Sequence, residues 1–123
     1  SLSLEGAREM KRIRPDWEVG LLSSVAVGDL TRLDVDFLAL NARFISRQLV
    51  RRAHKQDKSV FAWTVNDPLG MSAIAGRGVD AIITDEPALA VKLLEERSKL
   101  EPYERLMLSL AELFDRPSLV MEQ

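Results

Sequence analysis

Val60-Phe61-Ala62-Trp63-Thr64-Val65-Asn66-Asp67-Pro68 decides the fold. A run of branched, aromatic and small apolar residues, halted by Asn-Asp-Pro, reads as a buried strand that ends where a helix begins. Asp67 is placed to accept the free N–H groups of the next turn, and Pro68 suits the first helical position because its missing N–H would be unpaired there anyway. The same grammar returns in Val79-Asp80-Ala81-Ile82-Ile83-Thr84-Asp85-Glu86-Pro87: an apolar strand, an acidic residue, and a proline that opens a helix. Two consecutive strand-to-helix units imply a parallel sheet.

Upstream the pattern is looser. Glu5 to Arg14 carries Ala7, Met10 and Ile13 at helical spacing and is stopped by Pro15-Asp16, so it reads as an amphipathic helix that arrives before any strand it could follow. Trp17-Glu18-Val19-Gly20-Leu21-Leu22 is a candidate first strand, opened from its amino end by Trp17, which reads as packing. Val25 to Leu33 reads as a loop with at most one helical turn. Val35 to Asn41 is a second strand, and Ser46 is placed to cap a helix with Leu49, Val50, Ala53 and His54 on one side and Arg47, Arg51, Arg52 and Lys55 towards water. That helix should end near Gln56-Asp57-Lys58. A third helix carries Met71, Ile74 and Ala75 and stops at Gly76 and Gly78. A fourth runs from about Ala88 to Ser98, with Leu89, Leu93 and Leu94 inward.

The candidate strands start near residues 19, 35, 59 and 80, at intervals of 16, 24 and 21. The first interval is too short for a full crossover helix and calls for a short turn or a single coil of helix. Two architectures stay open at this point: an open doubly wound sheet, or consecutive units of an eightfold barrel. A closed eight-stranded barrel needs about 250 residues; this chain has 123. Beyond Pro102, the residues Tyr103, Leu106, Met107, Leu110 and Phe114 make one further helical stripe, expected to cover surface that would otherwise be exposed.

Composition excludes more than it selects. Hydrophobic residues at 46% and charged residues at 29% are ordinary for one globular domain. A net charge of −2 gives no electrostatic reason to expect nucleic acid or an acidic membrane surface as a partner. Cysteine is absent and histidine occurs once, which removes disulfides, thiolate chemistry and any two-histidine chemistry within this chain. No apolar run approaches the roughly 20 residues that span a bilayer. A soluble segment is expected, with the whole protein's localisation open between cytoplasm and membrane tethering. The opening Ser1-Leu2-Ser3-Leu4, without Met, suggests an engineered or trimmed start.

Phe61-Ala62-Trp63-Thr64-Val65-Asn66, taken with Gly78-Val79-Asp80-Ala81-Ile82-Ile83-Thr84-Asp85-Glu86-Pro87, resembles the end of the glycerophosphodiester phosphodiesterase family. That family carries Trp-Thr-Val-Asn at one strand end and Gly-Val-Asp-Gly-Ile-Ile-Thr-Asp-x-Pro at the last barrel strand; Ala81 stands here where Gly is usual. The resemblance covers roughly residues 5 to 97. It implies a TIM barrel, of which this α/β chain holds the carboxyl-terminal half, about four βα units in residues 1–98, followed by a helical extension over residues 99–123. It also implies hydrolysis of glycerophosphodiesters to glycerol 3-phosphate and an alcohol, in lipid and glycerol metabolism, assisted by a divalent metal, Mg or Ca. The family's His-Arg-Gly block, Glu-x-Asp metal ligands, second histidine and Glu-x-Lys lie on earlier strands. No catalytic or metal-binding residue is therefore assigned to this chain, no metal is expected on it, and it is expected to be inactive alone.

Three residues are candidates for a substrate-binding wall. Trp63 sits at the carboxyl end of its strand, where barrels place the active-site mouth, and the resemblance makes it an apolar wall for the substrate's glycerol or alcohol portion. Asn66 and Asn41 end their strands similarly. Asp67 and Asp85 invite a metal-ligand reading, but both precede a proline-opened helix and capping explains them more simply. His54 reads as a partly exposed helix residue, and the basic cluster around it as a solvated face. A half barrel would leave two strand edges and an apolar inner face uncovered, so the chain is expected to self-associate, by edge-to-edge closure of two copies or through the terminal helix. The competing reading is a non-catalytic α/β binding or oligomerisation domain: a monomeric open sheet with helices on both faces.

Overall fold

The computed structural model describes residues 1–24 and 28–114. Its elements, in chain order, are α1 (Leu4–Ile13), β1 (Gly20–Ser23), a 3₁₀ turn (Leu30–Arg32), β2 (Phe37–Asn41), a 3₁₀ turn (Ala42–Phe44), α2 (Arg47–Lys55), β3 (Ser59–Trp63), α3 (Pro68–Gly76), β4 (Ala81–Ile82), α4 (Pro87–Ser98) and α5 (Pro102–Phe114). The four strands form one parallel sheet in the order β1-β2-β3-β4. The short first crossover contains only a 3₁₀ turn among its described residues, as the 16-residue interval demands.

Sheet register fixes which residues share a face. Leu22, Ala39, Phe61 and Ala81 lie side by side, and Ser23, Leu40, Ala62 and Ile82 lie side by side on the opposite face. The face of Leu38, Leu40, Val60 and Ala62 is closed off by the helices, with all four at 1% exposure or less. The other face carries Phe37, Phe61 and Trp63, all only half-buried. Phe37 and Phe61 stack there with ring centroids 4.6 Å apart. Gly20, also on this face, makes room for the Phe37 ring, which a Cβ at that position would overlap. Sequential order without reversal, together with one covered and one uncovered face, is the geometry of a barrel wall; an open doubly wound sheet reverses its strand order and covers both faces.

Local capping explains most helix starts. Ser46 accepts from Leu49 N at 3.1 Å and Asp67 from Gly70 N at 2.6 Å. Gly78, at φ +90, turns the chain from α3 into β4 in a conformation that favours glycine.

Other expectations need correction. β1 begins at Gly20, and Trp17 precedes it, 49% exposed with the Arg14 guanidinium 4.4 Å above its ring, so it does not pack into the core. Asp85 does not cap α4. Glu86 holds the cap position without a side-chain bond, because Asp85 is turned towards Asn66. Leu94 is 40% exposed rather than inward, and His54 lies outside the core on α2. No strand precedes α1 among the described residues, as the sequence implies; Ser1 bonds to the edge of β1, donating to Gly20 O (2.9 Å) and accepting from Leu22 N (2.8 Å). The stripe on α5 is itself exposed.

Candidate functional site

The carboxyl ends of β2, β3 and β4 bring the sequence candidates to one end of the sheet. Asn41 and Trp63 are register partners and share the uncovered face. The Trp63 indole N–H donates to Ala39 O on the neighbouring strand at 3.0 Å. With that one polar atom satisfied, the half-buried ring presents an apolar surface beside the end of β2. The Asn41 side chain accepts from Arg43 N at 3.1 Å and so starts the 3₁₀ turn that carries the chain off the sheet.

Asn66 joins β3 to β4. Its Oδ1 accepts from the Thr84 hydroxyl (3.0 Å) and from Asp85 N (2.9 Å), while its Nδ2 donates to Asp85 Oδ2 (2.9 Å). Thr84 Oγ1 in turn accepts from Glu86 N at 3.0 Å. The amide thus works as a clamp between two loops, holding Thr84, which motif reading left unassigned, and Asp85, which it read as a helix cap. The signal was present: Trp-Thr-Val-Asn and Ile-Thr-Asp end adjacent parallel strands, so their polar residues arrive at the same height.

His54 is at the opposite end of the sheet, where Nε2 meets Asp80 Oδ2 at 2.9 Å ahead of β4. Among the described residues, no group of three histidine, cysteine or carboxylate side chains converges to hold a metal ion. Among the described residues, Asp67 caps α3 and Asp85 bonds to Asn66, so both carboxylates already hold structural partners. At the amino end, burial alone would raise the Asp36 carboxyl, but the Val19 N–H and Lys11 outweigh it and hold it below the usual carboxylate range. Nothing among the described helices is long and apolar enough to cross a membrane.

These features define part of a parallel βα-barrel, a fold whose enzymes place their sites at the strand carboxyl termini. Residues 18–89 match the glycerophosphoryl diester phosphodiesterase family, and the chain belongs to that family. It is 33% identical to glycerophosphodiester phosphodiesterase GDPD4 of Arabidopsis thaliana, across 73% of this chain but only 29% of the relative. A putative glycerophosphoryl diester phosphodiesterase from Silicibacter pomeroyi superposes with a TM-score of 0.74 at 25% identity, covering 79% of this chain and 37% of that one. A glycerophosphodiester phosphodiesterase from Parabacteroides distasonis gives 0.71 at 26%, covering 80% and 43%. An Oleispira antarctica phosphodiesterase, solved with the product sn-glycerol-3-phosphate, shares the fold at 22% identity and a TM-score of 0.68, covering 77% and 40%. The chain therefore spans less than half the length of the relatives it matches.

Proposed function

We propose that this chain is the carboxyl-terminal half of the barrel of a glycerophosphodiester phosphodiesterase, contributing part of the substrate wall and none of the catalytic groups. The observation that carries this reading is the uncovered sheet face. Phe37, Phe61 and Trp63 are left only partly buried on a surface that a closed barrel buries, next to the end where barrels bind their ligands. On this reading the whole enzyme hydrolyses a glycerophosphodiester to glycerol 3-phosphate and an alcohol. A divalent ion, Mg or Ca, would neutralise charge developing on the phosphate oxygens, held by residues outside this chain. This chain's own contribution is positional: the Trp63 ring lines the mouth with apolar surface, Asn41 ends the neighbouring strand beside it, and the Asn66 clamp fixes the β3 and β4 loops that frame it.

The test is complementation. The purified chain is assayed for glycerol 3-phosphate release from glycerophosphocholine with Mg or Ca, alone and after co-expression with the first four βα units of the Silicibacter pomeroyi relative. The expected result is no turnover alone and measurable turnover from the assembled pair. Metal-dependent hydrolysis by the chain alone would overturn the assignment.

A further inference from the structure

Helix α5 is built inside out. Ser109 lies against Gly76 of α3, where a Cβ on that glycine would come within 3.4 Å of the Ser109 hydroxyl oxygen. Glu112, one turn further along the same side, is buried at 7% exposure. Apart from the half-buried Leu108, the large apolar residues look the other way: Tyr103, Leu106, Met107, Leu110, Leu113 and Phe114 are 67, 58, 63, 42, 67 and 83% exposed. A helix docked through its polar side, with a continuous apolar stripe turned to water, has a second surface to bury. This helix also lies outside residues 18–89, which carry the family match.

We infer that the exposed stripe of α5 pairs with the same stripe of a second copy, as two antiparallel helices about a twofold axis. A twofold interface requires a patch to be complementary to itself. For antiparallel helices, the apolar spacing must read alike in both directions. Tyr103, Met107, Leu110 and Phe114 are separated by 4, 3 and 4 residues, which is palindromic. Crossing between residues 108 and 109 sets Tyr103 on the partner's Phe114 and Met107 on the partner's Leu110, each twice. Leu106 and Leu113 widen the seam at the 3–4 spacing of helix pairs.

The area is sufficient. At roughly 150 Å² for each large side chain, the six exposures offer on the order of 600 Å² per copy, and about 1,200 Å² for the pair reaches the lower bound of specific interfaces. Charge disfavours a lipid surface as the occupant: Glu101, Glu104 and Glu112 outnumber Arg105 along the helix, whereas membrane-surface helices are rich in Lys and Arg.

Sedimentation equilibrium of the full chain near 100 µM, against the Met107→Lys/Leu110→Lys variant, tests the proposal. Both positions are exposed, so unchanged circular dichroism is expected to show the variant folded. The expected result is a wild-type dimer and a variant whose dimer dissociation constant is weakened about tenfold or more, one decade being about 1.4 kcal/mol. A monomeric wild type overturns the proposal. So does a dimer indifferent to the variant, which would assign association to the open sheet, and so does a monomer that binds phosphatidylcholine–phosphatidylglycerol vesicles through this stripe. Because the chain has no native cysteine, oxidation reads the orientation. Tyr103→Cys/Phe114→Cys should cross-link into a dimer and Tyr103→Cys alone should not. The reverse outcome overturns the antiparallel arrangement. None of these results bears on complementation of the barrel.

Discussion

Asp80 and Val60 are bound to each other twice: the Val60 N–H donates to Asp80 Oδ2 at 2.7 Å, and the Asp80 N–H donates to Val60 O at 2.8 Å. Two strands back, Asp36 and Val19 repeat the arrangement, with Val19 N to Asp36 Oδ2 at 2.8 Å and Asp36 N to Val19 O at 2.7 Å. Each carboxylate also holds a basic side chain, His54 at Asp80 and Lys11 at Asp36. The amino end of the sheet is therefore closed by two equivalent Asp clamps, each reaching back from one strand to the one before it in the pair.

Removing the Asp80 clamp strands a buried donor. Val60 has no exposure, so in Asp80→Ala its N–H loses its side-chain acceptor where water does not easily replace it, at a cost of about 1–3 kcal/mol. His54→Ala removes only a half-exposed contact and should cost about 0.5 kcal/mol. Urea unfolding of the two variants checks the ordering; equal losses would place the stabilisation in the His54 contact instead of the backbone bond.

The Asp36 clamp makes stability depend on acid. Burial would raise this carboxyl, yet the Val19 N–H and Lys11 hold its folded value below the ordinary 3.8. The folded state thus binds fewer protons than the unfolded state across that window, and the contribution is complete above pH 3.8 and lost as pH falls through the folded value. Thermal melts of wild type and Asp36→Asn between pH 7 and pH 2.5 should show the gap between them narrowing only below about pH 4. A gap that is constant over the series would refute the linkage.

What the sequence made legible was local. Ser46 and Asp67 cap helices that begin within three residues of them, and Pro68 signals the same start, so neighbouring residues suffice to read them. The four strands and their intervals followed from apolar runs bounded by polar breaks. What escaped depends on which partner a side chain meets once the chain is folded. Asp85 has the appearance of a cap but bonds to Asn66, 19 residues earlier, and Trp17 looks like core but lies under Arg14. The Asp clamps left a trace, Val-Asp directly before each of two strands, whose meaning needs the register of adjacent strands. The outward stripe of α5 has a perfect helical period, and period alone cannot say which side meets the protein.

Asn66 should be sensitive to charge more than to size. Asn66→Ala removes three bonds among exposed groups and should speed hydrogen exchange at Asp85 N–H by about tenfold, a change of about 1.4 kcal/mol in local opening. Asn66→Asp keeps an acceptor but replaces the Nδ2 donor with a carboxylate facing Asp85, so its exchange should be faster than that of the alanine variant at neutral pH. Protection in Asn66→Asp equal to wild type would mean that the clamp is not what orders these loops.

Gly20 should resist even a methyl group. A Cβ there overlaps the Phe37 ring, which is itself stacked on Phe61, so Gly20→Ala should destabilise by about 1–3 kcal/mol through displacement of both rings. Adding Phe37→Leu should recover part of that loss, because the smaller side chain vacates the collision. A double-mutant cycle with no coupling would show that the backbone, not the ring, sets the requirement for glycine.

Trp63 separates wall from scaffold. Trp63→Phe keeps an aromatic ring but deletes the bond to the buried Ala39 carbonyl, a loss of about 0.5–1.5 kcal/mol in this chain by urea unfolding. In a complemented barrel the same variant should change turnover little, since no proton moves through the indole. Trp63→Ala removes the apolar surface itself, and on the proposed reading it should raise KM for glycerophosphocholine several-fold, within about 1–2 kcal/mol, while kcat stays within about twofold. A fall in kcat at unchanged KM would exclude a wall that holds ground state and transition state alike, and would move Trp63 into the group of residues that position the reacting phosphate.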